Sequence, residues 1–184
     1  MPLTPPDPPL ADDTITLEPL AQRHVPVFQT LVLEDDIRRF TMVPTRPDRH
    51  FAANWVARYE RGWAEGSRAG FAILRGDGPI VGFAGIFGLD DPGAEGEIGY
   101  LVAAEARSQG IAGRSVALLT RWGFDELGLE RIELRIDTDN VASARVAERA
   151  GYRLDGVLRS KHFKEGLRTD LGIWSRLRSD VPRL

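Results

Sequence analysis

Hydrophobic and polar residues recur along this chain with the periods of both strands and helices. Over residues 131–137, Ile132, Leu134 and Ile136 alternate with charged side chains, which is typical of a half-buried strand. Over residues 111–127, apolar side chains recur every three or four positions, which predicts an amphipathic helix. Similar patterns predict strands at 15–20, 70–75, 79–89, 97–102, 152–159 and 171–178, and helices at 23–33, 48–64 and 140–150.

The order of these elements predicts a mixed α/β (α+β) domain. It gives a central mixed sheet of about seven strands, in which the βαβ unit over residues 97–137 is expected to be parallel and right-handed. The 184 residues are enough for one domain with a sizeable core. Residues 1–12 are rich in proline and are predicted to be disordered, which leaves residues 13–184 as a single domain.

Composition narrows the classes of partner. The net charge of −3 gives no basic footprint, so no nucleic-acid partner is expected. There is no cysteine, and His24, His50 and His162 lack metal-ligand spacing, so no metal is expected. The longest uncharged run, residues 78–89, is too short to cross a bilayer. No secretory signal is visible, so we expect a cytoplasmic protein without a membrane partner.

The most informative stretch is residues 107–112, between a predicted strand and a predicted helix. The first N–H groups of a helix lack partners and the helix dipole adds positive charge there, so this turn can bind phosphate. Gly110 lets the backbone approach an anion, Ala112 keeps the next turn small, and Arg107 could add a charged fork. A plain strand-to-helix turn could contain the same residues, so this stretch alone leaves both interpretations open.

Arg107, Gly110 and Ala112 match the acyl-CoA pyrophosphate loop of the GNAT superfamily of N-acetyltransferases, which the chain resembles. From Glu97 to Ser160 it resembles the ribosomal-protein N-acetyltransferase branch of RimJ/RimL type. This resemblance rests on Glu97–Tyr100, Arg107–Ala112, Leu127–Leu134, Asn140–Ser143, Glu148–Tyr152 and Gly156–Arg159, and residues 168–177 resemble the family's last strand.

The resemblance implies a GNAT acyl-CoA N-acyltransferase fold, with helices on both faces of the sheet. Its fourth and fifth strands splay apart, and acetyl-CoA lies between them with its pantetheine along the strand 97–102. The implied cofactor-binding residues of the loop and helix start are Arg107, Ser108, Gln109, Gly110, Ile111, Ala112, Gly113 and Arg114.

The implied reaction is direct transfer of an acetyl group from acetyl-CoA to a primary amine. An N-terminal α-amino group of a protein is the expected acceptor. A small-molecule amine such as an aminoglycoside, a polyamine or an amino acid is the alternative. A non-catalytic acyl-CoA-binding module is a further alternative, and a homodimer is one assembly consistent with the resemblance. Residues 34–49 and 90–95 are expected to contact the acceptor.

The chemistry of acetyl transfer requires stabilisation of an oxyanion and of a leaving thiolate. A strand N–H near Leu101 or Val102 could stabilise the oxyanion. Because the thiolate has a pKa of roughly 8.5, by analogy with cysteine, a nearby hydroxyl donor would help it to leave. Ser143 is the candidate donor, although a first-turn serine can simply support a helix start. Asn140 could hold the pantetheine amide or the substrate, or act as an N-cap.

One departure from the family pattern concerns the donor. Many GNAT enzymes carry a tyrosine acid four residues before the glycine that ends this helix, and here that position is Ala147. The donor role therefore falls to Ser143 or to water.

Glu97 is the leading candidate for the general base, acting directly or through water. Asp90, Asp91 and Glu95 precede it, and these carboxylates could attract a cationic amine or belong to a solvated loop. The segment 161–165 holds the other base candidates, His162 and Glu165.

Overall fold

The computed structural model describes residues 1–76, 78–89 and 92–180. Its strands are β1 (Leu10–Ala11), β2 (Ile15–Pro19), β3 (Arg68–Arg75), β4 (Ile80–Phe87), β5 (Glu95–Val102), β6 (Arg131–Asp137), β7 (Arg153–Lys164) and β8 (Leu167–Leu177). The helices are α1 (Val25–Leu31), α2 (Asp35–Phe40), α3 (Phe51–Glu65), α4 (Ile111–Asp125) and α5 (Val141–Arg149). Short 3-10 turns lie at Gln22–His24, Ala104–Ala106 and Arg178–Asp180.

The eight strands form one mixed sheet in the order β1-β2-β3-β4-β5-β6-β8-β7. The predicted fold class is therefore confirmed. The elements that differ most from the prediction are α2, β1, β7 and β8. Helix α2 was missed because its six residues are too few to establish a period. The hairpin of β7 and β8 continues to the pair Lys164–Leu167, through polar and exposed residues that gave no strand signal.

Strand β1, which was not among the predicted strands, lies within the proline-rich segment for which we predicted disorder. Leu10 pairs with Leu17 of β2, and the Leu3 N–H donates to the Trp63 carbonyl oxygen at 2.8 Å. Leu3 and Leu10 also pack against the core. Isolated leucines between prolines do not form a periodic pattern, so these contacts could not be predicted from the sequence.

Helices cover both faces of the sheet, as expected. Phe71 and Phe83 lie on opposite faces, because Phe71 pairs across the strands with the residue next to Phe83. Phe28 of α1 and Tyr59 of α3 pack on Phe83, with ring centroids 5.8 and 5.0 Å away. Trp122 of α4 packs on Phe71 at 5.6 Å.

Strands β5 and β6, the fourth and fifth strands of the prediction, are parallel and share only three register pairs. The last pair is Glu97 with Glu133, after which the two strands diverge while β6 stays paired with β8 as far as Asp137. This is the splay that the resemblance implied. No helix in the described part of the chain is long and apolar enough to cross a membrane.

Candidate active site

The entry loop, residues 104–113, leads from β5 into α4. Ser108 has φ 60° and Gly110 has φ 78°, in the left-handed region that favours glycine. After Arg107, whose N–H donates to the Ala104 carbonyl oxygen, the next such N–H is that of Arg114, at 3.0 Å from the Gly110 carbonyl oxygen. Within the described residues, the N–H groups of residues 108–113 have no hydrogen-bond acceptor. They form a cluster of free donors at a helix start, where an anion binds well.

The guanidinium of Arg107 faces carboxylates of the α1–α2 connection. It pairs with Glu34 and Asp36, both at 2.7 Å, and its Nε donates to the Val102 carbonyl oxygen at 3.0 Å. The expected charged fork toward a phosphate is absent from this arrangement, because the guanidinium is already occupied. Gln109 is also engaged, since its side chain accepts a hydrogen bond from Arg75 at 2.5 Å.

A cavity of 530 Å³ lies between α4 and α5, beside the entry loop. Arg114, Arg121 and Arg149 are among the residues that line it, together with Asp12. Arg114 forms ion pairs with Asp12 and Asp13 at 2.9 and 2.6 Å, so it is shared with the segment before β2. These two carboxylates offset the charge of Arg114, so the attraction of a phosphate group to this cavity depends on Arg121 and Arg149.

Helix α5 begins at a local cap. The Asn140 Oδ1 accepts a hydrogen bond from the Ser143 N–H at 3.1 Å, so Asn140 is an N-cap, one of the two roles predicted for it. Ser143 lies in the first turn of α5 beside Tyr100. Ala147 is completely buried, and its methyl group has no proton to donate, so this position supplies no acid.

The two oxyanion candidates differ in the direction of their N–H groups. Alternate residues of an antiparallel strand point these groups to opposite sides. The Ala103 N–H donates to the Val81 carbonyl oxygen of the neighbouring chain segment at 2.9 Å. Leu101 is two residues earlier, so its N–H also points toward β4. The Val102 N–H points the other way, into the opening between β5 and β6, where the pairing with β6 has already ended. Both side chains are buried in the core.

Glu97 lies at the point where β5 and β6 separate. Arg135 approaches both Glu97 and Glu133, with its Nε at 3.2 and 3.1 Å from a carboxylate oxygen of each. The Glu97 side chain is 23% exposed. Burial raises the pKa of Glu97 to about 7, while Arg135 opposes the rise and Glu133 adds to it. A carboxylate with this pKa is a much stronger base than an ordinary one.

A row of glycines extends from Glu97's face of β5 across the sheet. Gly70, Gly85 and Gly99 are consecutive register partners on β3, β4 and β5. The Tyr59 ring lies on this row, because a Cβ on Gly70 would be 2.6 Å from the ring. Burial raises the pKa of Tyr59 to about 12, and the charge of Glu97 contributes to this rise. The sequence analysis missed Tyr59, although glycines inside strands often mark a close approach.

The other base candidates lie on the β7–β8 hairpin. His162 pairs with Thr169 across the hairpin. Glu165, at the tip, accepts hydrogen bonds from the Thr45 side chain and from the Thr45 N–H, the latter at 2.9 Å. These bonds lower the pKa of Glu165, which makes it a weaker base.

The tip of the β7–β8 hairpin also contacts residues 34–49, the segment expected to contact the acceptor. Lys164 donates hydrogen bonds to the carbonyl oxygens of Arg38 and Thr41, the latter at 3.0 Å.

Of the acidic residues before Glu97, only Glu95 can be placed. Its carboxylate lies 3.9 Å from the Arg131 Nε. Asp90 and Asp91 lie outside the described residues. Among residues 1–76, 78–89 and 92–180, no group of three or more histidine or acidic side chains could hold a metal ion.

Comparisons with known proteins agree with this geometry. Residues 14–153 match the acetyltransferase (GNAT) domain. An uncharacterised N-acetyltransferase, YoaA of Bacillus subtilis, is 25% identical over 167 residues, which are 90% of this chain and 94% of YoaA. The ribosomal-protein-serine acetyltransferase of Escherichia coli is 24% identical over 172 residues, 90% of this chain and 93% of its own.

A solved structure gives the same result for the fold. The crystal structure of RimL, described as a ribosomal L7/L12 α-N-protein acetyltransferase, superposes with a TM-score of 0.83 at 21% identity and covers 92% of each chain. These matches favour an enzyme over a non-catalytic binding module. The chain belongs to the GNAT family of acetyl-CoA-dependent N-acetyltransferases and has ribosomal-protein acetyltransferases among its relatives.

Proposed function

We propose that this protein acetylates the N-terminal α-amino group of a protein, with Glu97 as general base and Ser143 as the donor to the leaving thiolate. The observation that carries the proposal is the position of Glu97 in the last register pair before β5 and β6 diverge. A base at this point lies next to the only part of β5 that is open toward β6. Its raised pKa allows it to take up a proton near neutral pH.

The cofactor side of this proposal rests on free donors and positive charge. The unpaired N–H groups of residues 108–113 would bind the pyrophosphate of acetyl-CoA. Arg121 and Arg149, which line the cavity between α4 and α5, would face the remaining phosphate. Arg107 would act by holding the entry loop against Val102 and Glu34, since its guanidinium is already paired.

The chemical step follows from these positions. Glu97 accepts a proton from the acceptor ammonium, directly or through water, and the neutral nitrogen attacks the thioester carbonyl carbon. The Val102 N–H stabilises the negative charge that forms on the carbonyl oxygen. As the carbon–sulfur bond breaks, the attacking nitrogen gives its extra proton to water, and the Ser143 hydroxyl donates a hydrogen bond to the sulfur of coenzyme A, which leaves as the thiolate.

The choice of a protein N-terminus over a small amine rests on the relatives, because two of the proteins compared above are named for ribosomal-protein substrates. The acidic pair Glu97 and Glu133 would attract any cationic amine and does not distinguish the two classes. A small-molecule amine is therefore the second candidate acceptor.

The test is thiol release from acetyl-CoA with a panel of amines. The panel contains peptides that begin with serine or alanine, the same peptides with a blocked N-terminus, spermidine, free amino acids and an aminoglycoside. We expect release with the free peptides alone, and mass spectrometry should place the acetyl group on the α-nitrogen. Release with spermidine or an aminoglycoside, but not with peptides, would establish the second candidate.

A further inference from the structure

Tyr100 has a hydroxyl group for which the fold provides no partner. Tyr100 lies on β5 beyond the last register pair with β6, on the same face as Ile98 and Val102. Its hydroxyl oxygen is inaccessible to solvent and makes no hydrogen bond of standard geometry with any described residue. A buried hydroxyl without a partner costs free energy, so this group calls for a functional explanation.

The side chain of Ser143 is a candidate partner for this hydroxyl. Burial raises the pKa of Tyr100, and a hydrogen-bonding interaction with Ser143 partly opposes that rise. The two hydroxyl groups are therefore neighbours, although their present geometry falls short of a standard hydrogen bond. Such bonds in active sites without substrate are often long and become shorter when substrate binds.

We infer that the Tyr100 hydroxyl is a positioning group that donates a hydrogen bond to the Ser143 Oγ, and so directs the Ser143 proton toward the sulfur of acetyl-CoA. This inference rests on the proposed role of Ser143. A serine hydroxyl rotates freely, and it has one proton to donate. A donor fixed on its oxygen leaves that proton for the thiolate. No proton leaves Tyr100, because a tyrosine with a raised pKa stays neutral during the reaction.

A second buried tyrosine provides a matched control. The Tyr152 hydroxyl forms a buried hydrogen bond with Thr120 at 2.7 Å, and it belongs to the core beneath α4. Removing this hydroxyl breaks a satisfied bond, so Tyr152→Phe should lower thermal stability and leave kcat unchanged. Tyr100→Phe removes a hydroxyl with no such bond, so it should lower kcat without lowering thermal stability.

The experiment is a double-mutant cycle of Tyr100→Phe and Ser143→Ala, with acetyl-CoA and a peptide that begins with serine. If the wild type prefers another amine of the panel, that amine replaces the peptide. We expect Ser143→Ala to lower kcat by about tenfold to a thousandfold and Tyr100→Phe by about tenfold. The double variant should equal Ser143→Ala, because Tyr100 acts through the serine. The calorimetric Kd for acetyl-CoA should stay within about twofold in all three variants.

Different outcomes overturn different parts of the argument. Equal losses from Tyr100→Phe with and without Ser143 would mean that Tyr100 acts independently, and the inference would be wrong. The same holds if Tyr100→Phe leaves kcat unchanged while Ser143→Ala lowers it. Unchanged kcat in Ser143→Ala, with an active wild type, would refute the proposed role of the serine itself. Lack of transfer by the wild type to any amine would refute the proposed function.

Discussion

The two sides of the opening between β5 and β6 are built in different ways. On the cofactor side, the free N–H groups of the entry loop and the cap of α5 come from local backbone structure, such as the bond from the Ser143 N–H to Asn140 three residues earlier. On the acceptor side, contacts between distant parts of the chain also hold residues 34–49 in place. Arg107 meets Glu34 across 73 residues, and Thr45 meets Glu165 across 120.

This difference separates two kinds of function. A phosphate group is the same in every acyl-CoA, so a short loop with free N–H groups suffices to bind it. The expected acceptor segment, residues 34–49, is held by side chains from the end of β7, from the tip of the β7–β8 hairpin and from the entry loop. We therefore expect changes on the cofactor side to alter acetyl-CoA affinity, and changes on the acceptor side to alter the use of the amine.

The largest effect should come from Glu97→Gln, which removes the base and leaves both sides in place. We expect kcat/KM to fall by on the order of a hundredfold to a thousandfold at pH 8. In the wild type, kcat/KM should rise through about pH 7 as Glu97 loses its proton. In the variant, the limb of the pH profile in which kcat/KM rises near pH 7 should be missing. Part of the rate should return at higher pH, where more of the amine is neutral.

Stability measurements distinguish loss of the base from misfolding. Folding raises the pKa of Glu97, so the folded state of the wild type becomes less stable as pH rises from about 4.5 to about 7. Glutamine carries no charge and avoids this loss. At pH 8 the variant should match the wild type or exceed its free energy of unfolding by about 2 kcal/mol. Parallel pH profiles with equal plateaus would transfer the base role to His162, Glu165 or water.

The next effect should come from Gly110→Glu, on the cofactor side. The new carboxylate would lie among the N–H groups expected to bind pyrophosphate, so we expect acetyl-CoA affinity to fall by on the order of a hundredfold. Gly128→Glu is the control, because Gly128 also has positive φ, at 69°, and open space around it. Calorimetric titration should give an unchanged Kd for that control. Unchanged affinity in a folded Gly110→Glu variant would remove the phosphate assignment of the loop.

Arg107→Met should affect both sides, because one guanidinium joins the entry loop to the α1–α2 connection. We expect roughly tenfold increases in both the Kd for acetyl-CoA and the KM for the amine, as expected for loss of a hydrogen-bonded charge pair. Asp35→Asn is the control, since that carboxylate is 94% exposed and pairs only with Arg38 within the part of the chain that the structure describes. A change confined to acetyl-CoA affinity would show that the two sides are not coupled through Arg107.

The smallest effect should come from Glu165→Gln, on the acceptor side. The amide can still accept a hydrogen bond from Thr45, so we expect a change of about threefold or less in the KM for the amine and none in acetyl-CoA affinity. The pH profile should keep its limb near pH 7. Loss of that limb would identify Glu165 as the base.

The sequence predicted those features that local chemistry determines. Gly110 and Asn140 were assigned correctly to a loop and a cap because both act within a few residues of themselves. The partners of Arg107 could not be predicted, because Glu34 and Asp36 lie at the start of α2, a helix too short to give a pattern that locates them. We predicted that the Arg107 guanidinium would bind phosphate because an arginine before a helix start often does so. In the structure, ion pairs with distant carboxylates already occupy this guanidinium.

The environments of the polar side chains on β5 could not be predicted from the sequence either. Strand alternation separates the faces of Glu97 and Tyr100 correctly, but it says nothing about burial of either polar group. The raised pKa of Glu97 depends on packing against the diverging strand, and the unpartnered Tyr100 hydroxyl depends on the placement of α5. Tertiary packing, which a single sequence does not reveal, decides both.

The glycine row on β3, β4 and β5 sets how readily the range of acceptors can change during evolution. A methyl group on Gly70 would come within 2.6 Å of the Tyr59 ring, and one on Gly85 within 2.9 Å of the Phe83 ring. At Gly99 the nearest atom is an edge of Phe87 at 3.2 Å, which needs to move only slightly. Gly99 is thus the position where a single substitution can reshape the cleft beside Glu97 while the aromatic packing beneath it persists.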